Sequence, residues 1–235
     1  MTNERKRRRL AYPGDCWSTL WENHNTLANA DRRPDKRNLS QRIEESDSSK
    51  GKDMEDPKSW SVKDQELVKE LVDFLGINED DRQFLRQLHG IAATYSKPMV
   101  EEFSSRILQH PNTREYYEKI DVPSLQEKIT GWFQDLFLGE YGAEYAEKAM
   151  RIGKAHVRIG LPLRYPLAMW DLLVKYGEQV VAHSPKPKEA FRAFHKVLAL
   201  SIALFIQAYE DSQLAHLSQF LGSERLVRRL LMEGH

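Results

Sequence analysis

The feature that most constrains this chain is a succession of helix-forming segments that runs from residue 61 almost to the C-terminus. Within each segment apolar side chains recur every three or four residues, as Leu67, Leu71 and Leu75 do, and this spacing places them on one helix face. Glycine, proline and capping residues separate the segments, and Gly76 follows the first of them. No segment alternates as a strand does. The sequence therefore predicts an all-α fold of about seven or eight helices.

Prolines and caps predict where several helices begin and end. Asn78 is expected to cap a helix whose first turn is acidic, as the helix dipole favours. Pro98 is expected to begin the next helix, and Pro111 to end it. The last long helix is predicted from about Pro187 into the 210s.

The first 60 residues differ in composition from the rest. The stretch 31–58, DRRPDKRNLSQRIEESDSSKGKDMEDPK, is highly charged and poor in apolar residues, so it cannot bury enough surface to offset the entropy of ordering. We predict a disordered tail over residues 1–60, a folded domain over 61–212 and a C-terminal helix or stub over 213–235.

Composition excludes several function classes. The chain has 35 Lys and Arg against 35 Asp and Glu, and a net charge of zero argues against nucleic acid as a partner. A single cysteine excludes a disulfide framework and a cysteine-built metal centre. The sequence has no apolar run of membrane-spanning length and no secretory signal. We expect a cytoplasmic protein that functions without a membrane.

The most informative segment is MRIGKAHVRIGLP, in which Gly153, His156 and Gly160 are spaced to share one helix face. Glycine in a helix costs about 1 kcal/mol relative to alanine, so its presence needs a reason. A flat group lying close to the helix would supply one, and an imidazole on such a surface is a suitable proximal ligand for haem iron. A closely packed helix crossing is the alternative explanation.

The segment IGKAHVRIGLP resembles the proximal-helix signature of the globin-coupled sensors, a branch of the globin superfamily related to the protoglobins. Four further segments agree with this family in order and spacing: FLGINEDDRQFL, FSSRILQHP, LQEKITGWFQDLFLGEYGAEY and FHKVLALSIALFIQAYEDSQL. The resemblance covers about residues 62–212. It implies a globin-like fold with an extra N-terminal helix, and haem b as the cofactor.

The resemblance also implies roles for individual residues. His156 would be the proximal iron ligand, and Leu125 and Ile129 would form an apolar distal wall. Lys128 falls where some relatives place a small polar distal residue, and Phe103 matches the aromatic residue of a Phe-Tyr pair.

Four further positions complete the predicted haem site. Ser104 stands where that pair usually has its tyrosine, so the phenol that commonly donates to bound dioxygen is missing. Lys128 could replace the phenol as donor, although a lysine reaching to solvent is the simpler interpretation. Tyr165 is expected to contact the haem edge or His156, or to serve packing alone, and Gly153 and Gly160 would face the haem.

The implied function is a haem-binding globin-type sensor rather than an enzyme. It would bind oxygen, carbon monoxide or nitric oxide and signal through a homodimer formed by the last two globin helices, or through a separate signalling partner. Two alternatives stay open. One is a haem-dependent redox enzyme resembling a peroxidase or a nitric oxide dioxygenase. The other is a haem-free globin fold that binds proteins, against which the presence of His156 argues.

Overall fold

The computed structural model describes residues 56–118 and 120–233, and its folded unit begins at Pro57. Eight α-helices and no strand lie in these residues, which confirms the predicted all-α class. None of the described helices is long and apolar enough to cross a membrane. The helices are α1 (Asp64–Leu75), α2 (Glu79–Gln109), α3 (Pro111–Tyr117), α4 (Val122–Asp135), α5 (Ala143–Arg158), α6 (Arg164–Val181), α7 (Pro187–Leu221) and α8 (Glu224–Glu233).

The predicted N-terminal tail meets the folded unit at a short 3-10 helix, Lys58–Ser61. Residues 1–55 lie outside the described residues, so the prediction of disorder there stays a prediction. The prediction of disorder is wrong for the last residues of the proposed tail. They form a short helix, and the Trp60 ring packs against the folded unit, 5.6 Å from the Arg228 guanidinium. Nearby, Lys63 Nζ is 2.9 Å from a carboxylate oxygen of Glu224. These contacts hold the first residues of the folded unit against α8.

The predicted helix boundary at Pro98 is wrong, because α2 continues through this residue to Gln109. A proline inside a helix removes one backbone donor and crowds the preceding turn. Burial outweighs that local cost here, since Met99 and Val100, which follow the proline, are 0% and 5% exposed. The other expected boundary is confirmed, because α2 ends at Gln109 and Pro111 is the first residue of α3.

The start of α2 is fastened to two other helices. As predicted, Asn78 caps it: the Asn78 side chain accepts from Asp81 N at 2.9 Å, and the Asp81 carboxylate accepts from Asn78 N at 3.0 Å. From α7, Lys196 Nζ lies 2.7 Å from the same carboxylate and 2.7 Å from the carbonyl of Gly76, just after α1. The capping box therefore joins the N-terminal helix to the long α7.

The core is organised around α2, which packs on α4, α6 and α7, while α5 lies along α7. Phe133, Phe137 and Phe194 are fully buried at the centre. The rings of Phe137 and Phe194 are stacked with centroids 5.4 Å apart.

At the contact of α5 with α7, Gly153 lets the two backbones approach closely. A Cβ added to it would lie 2.6 Å from Ala208 Cβ and 2.9 Å from the carbonyl oxygen of Phe205.

The last globin-like helix extends beyond its predicted end. α7 continues through residue 212 to Leu221, so the proposed division between domain and stub does not coincide with a break in the helix. The C-terminal helix begins at Glu224 and packs back on α7, where Arg228 donates to Glu210 at 2.8 Å.

Replacing Gly153 with alanine should destabilise the protein by about 1–3 kcal/mol, because neither the α7 backbone nor the Ala208 methyl group can move aside. Gly90→Ala is the matched control: it adds the same methyl group to an exposed site in α2 with no atom within 4 Å. This variant should be about 0.4–1 kcal/mol more stable than wild type. Urea unfolding of both variants measures the difference, and equal stabilities would contradict the packing described.

A second prediction concerns the junction of α2 with α6. Glu102 accepts from Lys175 Nζ at 2.6 Å, Tyr176 Oη at 2.9 Å and Arg106 at 2.9 Å. These partners, Lys175 first, lower the pKa of Glu102 from an ordinary value of 4.5 to about 2. The carboxylate therefore contributes stability above pH 4.5 that is lost as the pH falls towards 2.

Glu102→Gln should cost about 1 kcal/mol at pH 7, the upper range for an ion pair that is still partly exposed. The variant should also lose less stability than wild type as the pH falls from 4.5 to 2. Glu101→Gln, at the exposed neighbouring position, serves as the control. Chemical unfolding from pH 7 to pH 2 tests the prediction, which fails if the two variants follow the same curve.

Candidate functional site

His156 lies near the C-terminal end of α5 with a partly buried ring. Its Nδ1 is 2.8 Å from the carbonyl oxygen of Ile152, one turn earlier. A carbonyl can only accept, so this geometry assigns the ring proton to Nδ1 and leaves a lone pair on Nε2. Among the described residues nothing hydrogen-bonds to Nε2. Burial lowers the pKa of His156, against a smaller opposing effect of the Ile152 bond, and so favours the neutral imidazole.

Aromatic contacts connect His156 to three other helices. Its ring meets the Phe205 ring of α7 edge to face, with centroids 5.3 Å apart. Phe205 in turn contacts Trp170 of α6 at 6.2 Å, and Trp170 contacts Trp132 of α4 at 5.7 Å. Sequence reasoning missed Phe205 and Trp170 as neighbours of the histidine, because helical periodicity marks both as core residues without saying which helix they meet.

Gly153 and Gly160, which were predicted to face the haem, each have a role in packing or in backbone conformation. Gly153 packs against α7, as the helix-crossing explanation requires. Gly160 lies beyond the end of α5 with a φ of +68°, so the predicted face shared with His156 is wrong for this residue. Its N–H donates to the Val157 carbonyl at 2.9 Å and that of Leu161 donates to the His156 carbonyl at 3.1 Å, which is the Schellman pattern of a helix end.

The apolar side chains expected around the haem lie on several helices, and most of them are only partly buried. α4 packs on α2 and α5 packs on α7, whereas α4 and α5 are not among the described helix pairs with extensive contact. Of the predicted wall residues, Ile129 is buried, and Leu125 and Phe103 are partly buried against the core. Partly buried apolar side chains also recur on α4, on α5 and around the start of α6: Trp132, Ile152, Val157, Leu163 and Leu167. Such incompletely covered apolar surface suits a largely apolar ligand.

A small polar cluster accompanies these apolar residues. Ser104 is buried in α2 and accepts from Tyr117 Oη of α3 at 2.9 Å and from Gln126 Nε2 of α4 at 3.2 Å. Sequence reasoning singled out Ser104 but missed both partners. The helix that carries Tyr117 has only seven residues, too few for a periodic pattern to reveal it.

The remaining two predicted residues make none of the contacts described for His156. The Lys128 side chain is exposed. The Tyr165 ring contacts the His110 ring, with centroids 5.7 Å apart, and the Arg164 guanidinium at 4.7 Å. Their assignment as haem contacts stays a prediction.

The chemistry of this site fits haem better than a bare metal ion. A bare ion needs several protein donors, and no cluster of three or more His, Cys, Asp or Glu side chains suited to one occurs in the described part of the chain. A single neutral imidazole with a free Nε2, whose Nδ1–H is oriented by a backbone carbonyl, instead matches the one axial ligand that a metal held in a macrocycle requires. Partly buried apolar side chains such as Ile152 and Val157, on the same helix as His156, suit the faces of such a ring.

Comparisons with known proteins agree with this fold. Residues 64–215 match the sequence model of the protoglobin family. The globin domain of the Geobacter sulfurreducens globin-coupled sensor is structurally similar, with a TM-score of 0.56 and 23% identity over 60% of this chain and 96% of that domain. A search of curated proteins found no significant match. Because the family match spans more than half of the sequence, including α1 to most of α7, the chain belongs to the protoglobin family.

Proposed function

We propose that this protein is a globin-type gas sensor that binds haem b through Nε2 of His156. The observation that carries the proposal is the bond from His156 Nδ1 to the Ile152 carbonyl, because it fixes the tautomer and leaves Nε2 available. When bound, haem supplies an iron centre that can coordinate oxygen, carbon monoxide or nitric oxide. Membership of the protoglobin family supports this assignment.

The apolar side chains of this chain would hold the ring and exclude water from it. Ile129 and Leu125 of α4, together with Phe103 of α2, would form the distal wall, and all three pack in or against the core. Keeping water away favours reversible gas binding, because water competes for the metal and promotes its oxidation. Gly153 and Gly160 contribute indirectly, the first by seating α5 on α7 and the second by ending α5 just after the ligand.

The position of His156 also offers a route for a signal. Its ring touches Phe205, and Gly153 on the preceding turn touches the backbone of α7 at the same place. A displacement of His156 would therefore act directly on α7, which continues without a break to Leu221 and carries α8. Gas binding would change the relative stability of two arrangements of these helices.

The signal would pass to a second copy of the chain through α6 and α7, or to a separate partner through the C-terminal region. Large apolar side chains are exposed along α7, as expected of a helix that contributes to a homodimer: Phe191, Ile206, Leu217 and Phe220. In α8, Leu231 and Met232 are also exposed and would be available to a signalling partner.

Replacing His156 with alanine should abolish stoichiometric haem binding, because no second imidazole takes its place on α5. The far-ultraviolet circular dichroism spectrum should stay largely helical, since most of the core lies outside this site. The measurement is a titration of the purified apoprotein with haem, followed by absorbance in the Soret region.

His183→Ala is the matched control. His183 makes the same type of bond, from Nδ1 to the Gln179 carbonyl one turn earlier at 3.0 Å, but its side chain is exposed. This variant should bind haem as wild type does. A His156→Ala variant that keeps the wild-type Soret band would show that another residue is the ligand.

A further inference from the structure

An apolar groove lies between the C-terminal part of α7 and α8, beside the first residues of the folded unit. Its volume is about 520 Å3, and its apolar lining consists of Trp60, Leu214, Leu217, Leu231 and Met232. This volume falls within the range of pockets that hold drug-sized groups, about 300–1,000 Å3. Leu214 is buried, but Leu217, Leu231 and Met232 are 41%, 62% and 49% exposed. A cluster of exposed apolar side chains around a groove is typical of a binding surface.

The polar contacts at this groove hold it open and in a fixed shape. Arg228, which also lines it, donates to Glu210 of α7 at 2.8 Å and to Glu224 of its own helix at 3.0 Å. Its guanidinium lies 5.6 Å from the Trp60 ring, and its side chain is only 14% exposed. The groove is therefore formed before anything binds, which lowers the cost of ordering on binding.

The groove lies where the chain outside the described residues joins the folded unit. Trp60 belongs to the 3-10 helix Lys58–Ser61, and the described residues begin at 56, four positions before it. Fifty-five residues precede that point. Each of them is tethered beside the groove, and tethering raises an effective concentration to the order of millimolar. A separate partner has to compete with this advantage.

One stretch of the preceding chain has the spacing of a helix that binds in a groove. In residues 15–28, DCWSTLWENHNTLA, the apolar residues Trp17, Leu20 and Trp21 follow an i, i+3, i+4 pattern, and Leu27 lies at the edge of the same face. Anchors at this spacing, inserted into an apolar groove, are a common mode of peptide recognition. Two tryptophans within five residues supply a large apolar area.

Charge favours this stretch over a second copy of the groove surface. Residues 10–30 contain Asp15 and Glu22 but no Lys or Arg. α8 carries three arginines and two glutamates, so it is slightly basic. An acidic segment therefore meets a surface of opposite sign, whereas two copies of α8 facing each other would carry the same sign.

We propose that residues 15–28, the N-terminal segment, dock in the α7–α8 groove of their own chain. The face formed by Trp17, Leu20 and Trp21 would lie in the groove. A signalling partner that uses Leu231 and Met232 would have to displace the segment, and in this respect the inference rests on the proposed function. Docking itself requires neither haem nor gas.

The only cysteine of the chain allows a direct test on the full-length protein. Cys16 precedes Trp17 and lies outside the apolar face, so a nitroxide attached to it marks the segment without blocking it. The amide NMR signals of Leu217 and Leu231 should lose most of their intensity compared with the same sample after reduction of the nitroxide. Phe191, at the other end of α7 and about 35 Å from Leu214 at 1.5 Å per residue, should keep its signal.

Three variants locate the contact. Trp17→Ser/Leu20→Ser/Trp21→Ser should restore the intensity of the groove signals. Its matched control, Thr19→Ser/Asn23→Ser/Thr26→Ser, changes the opposite helix face and should behave as wild type does. Leu217→Ser/Leu231→Ser alters the groove itself at two exposed side chains, so it should fold normally, which its circular dichroism spectrum checks, and should leave the remaining groove signals unbroadened.

Two results would overturn the inference. One is an unbroadened groove in labelled wild type, or equal broadening in the apolar-face variant and its control. The other comes from mixing labelled 14N protein with unlabelled 15N protein: groove signals that broaden as strongly in this mixture would show that the segment binds a second copy. Failure of wild type to bind haem would contradict the proposed function but would not alter these signals, so the two failures are distinguishable.

Discussion

The close approach of α5 to α7 at Gly153 is the contact on which the rest of the site depends. With no side chain at this position, the α5 backbone rests against Ala208 and the carbonyl of Phe205. The next turn of α5 then sets the His156 ring edge to face against the Phe205 ring. The bond from Nδ1 to the Ile152 carbonyl fixes the remaining freedom of the imidazole. Backbone packing therefore determines where the free ring nitrogen lies.

The two sides of the site are attached to different helices. α4 is held by α2, through the serine–glutamine pairs Ser96–Gln134 and Ser104–Gln126, and α5 is held by α7. Because α2 and α7 also pack on each other, they set most of the separation between α4 and α5, which are joined directly by an ion pair between Lys148 and Asp135 at 3.7 Å. The proposed haem would lie between Ile129 of α4 and His156 of α5.

Much of this architecture follows from local sequence signals. Asn78 predicted the start of α2, because a capping box involves only residues that are close in sequence. His156 was identified by the glycines on either side of it. Other features depend on tertiary contacts. Pro98 was expected to break a helix, but burial of the residues after it outweighs its local preference.

The chemistry around His156 was only partly predictable for the same reason. The spacing of Gly153 fitted both a flat ligand and a helix crossing, and only the position of α7 distinguishes between them. Likewise, Ser104 considered alone indicated only that the phenol which commonly donates a hydrogen bond to bound dioxygen is missing. The phenol of Tyr117 lies 13 residues further along the chain and reaches Ser104 only because α3 folds back on α2.

Resonance Raman spectroscopy of the ferrous, ligand-free protein would show whether His156 binds haem iron through Nε2. We expect an iron–histidine stretching band that shifts when histidine is labelled with 15N. An equimolar haem complex without such a band, or with a band insensitive to the label, would contradict it.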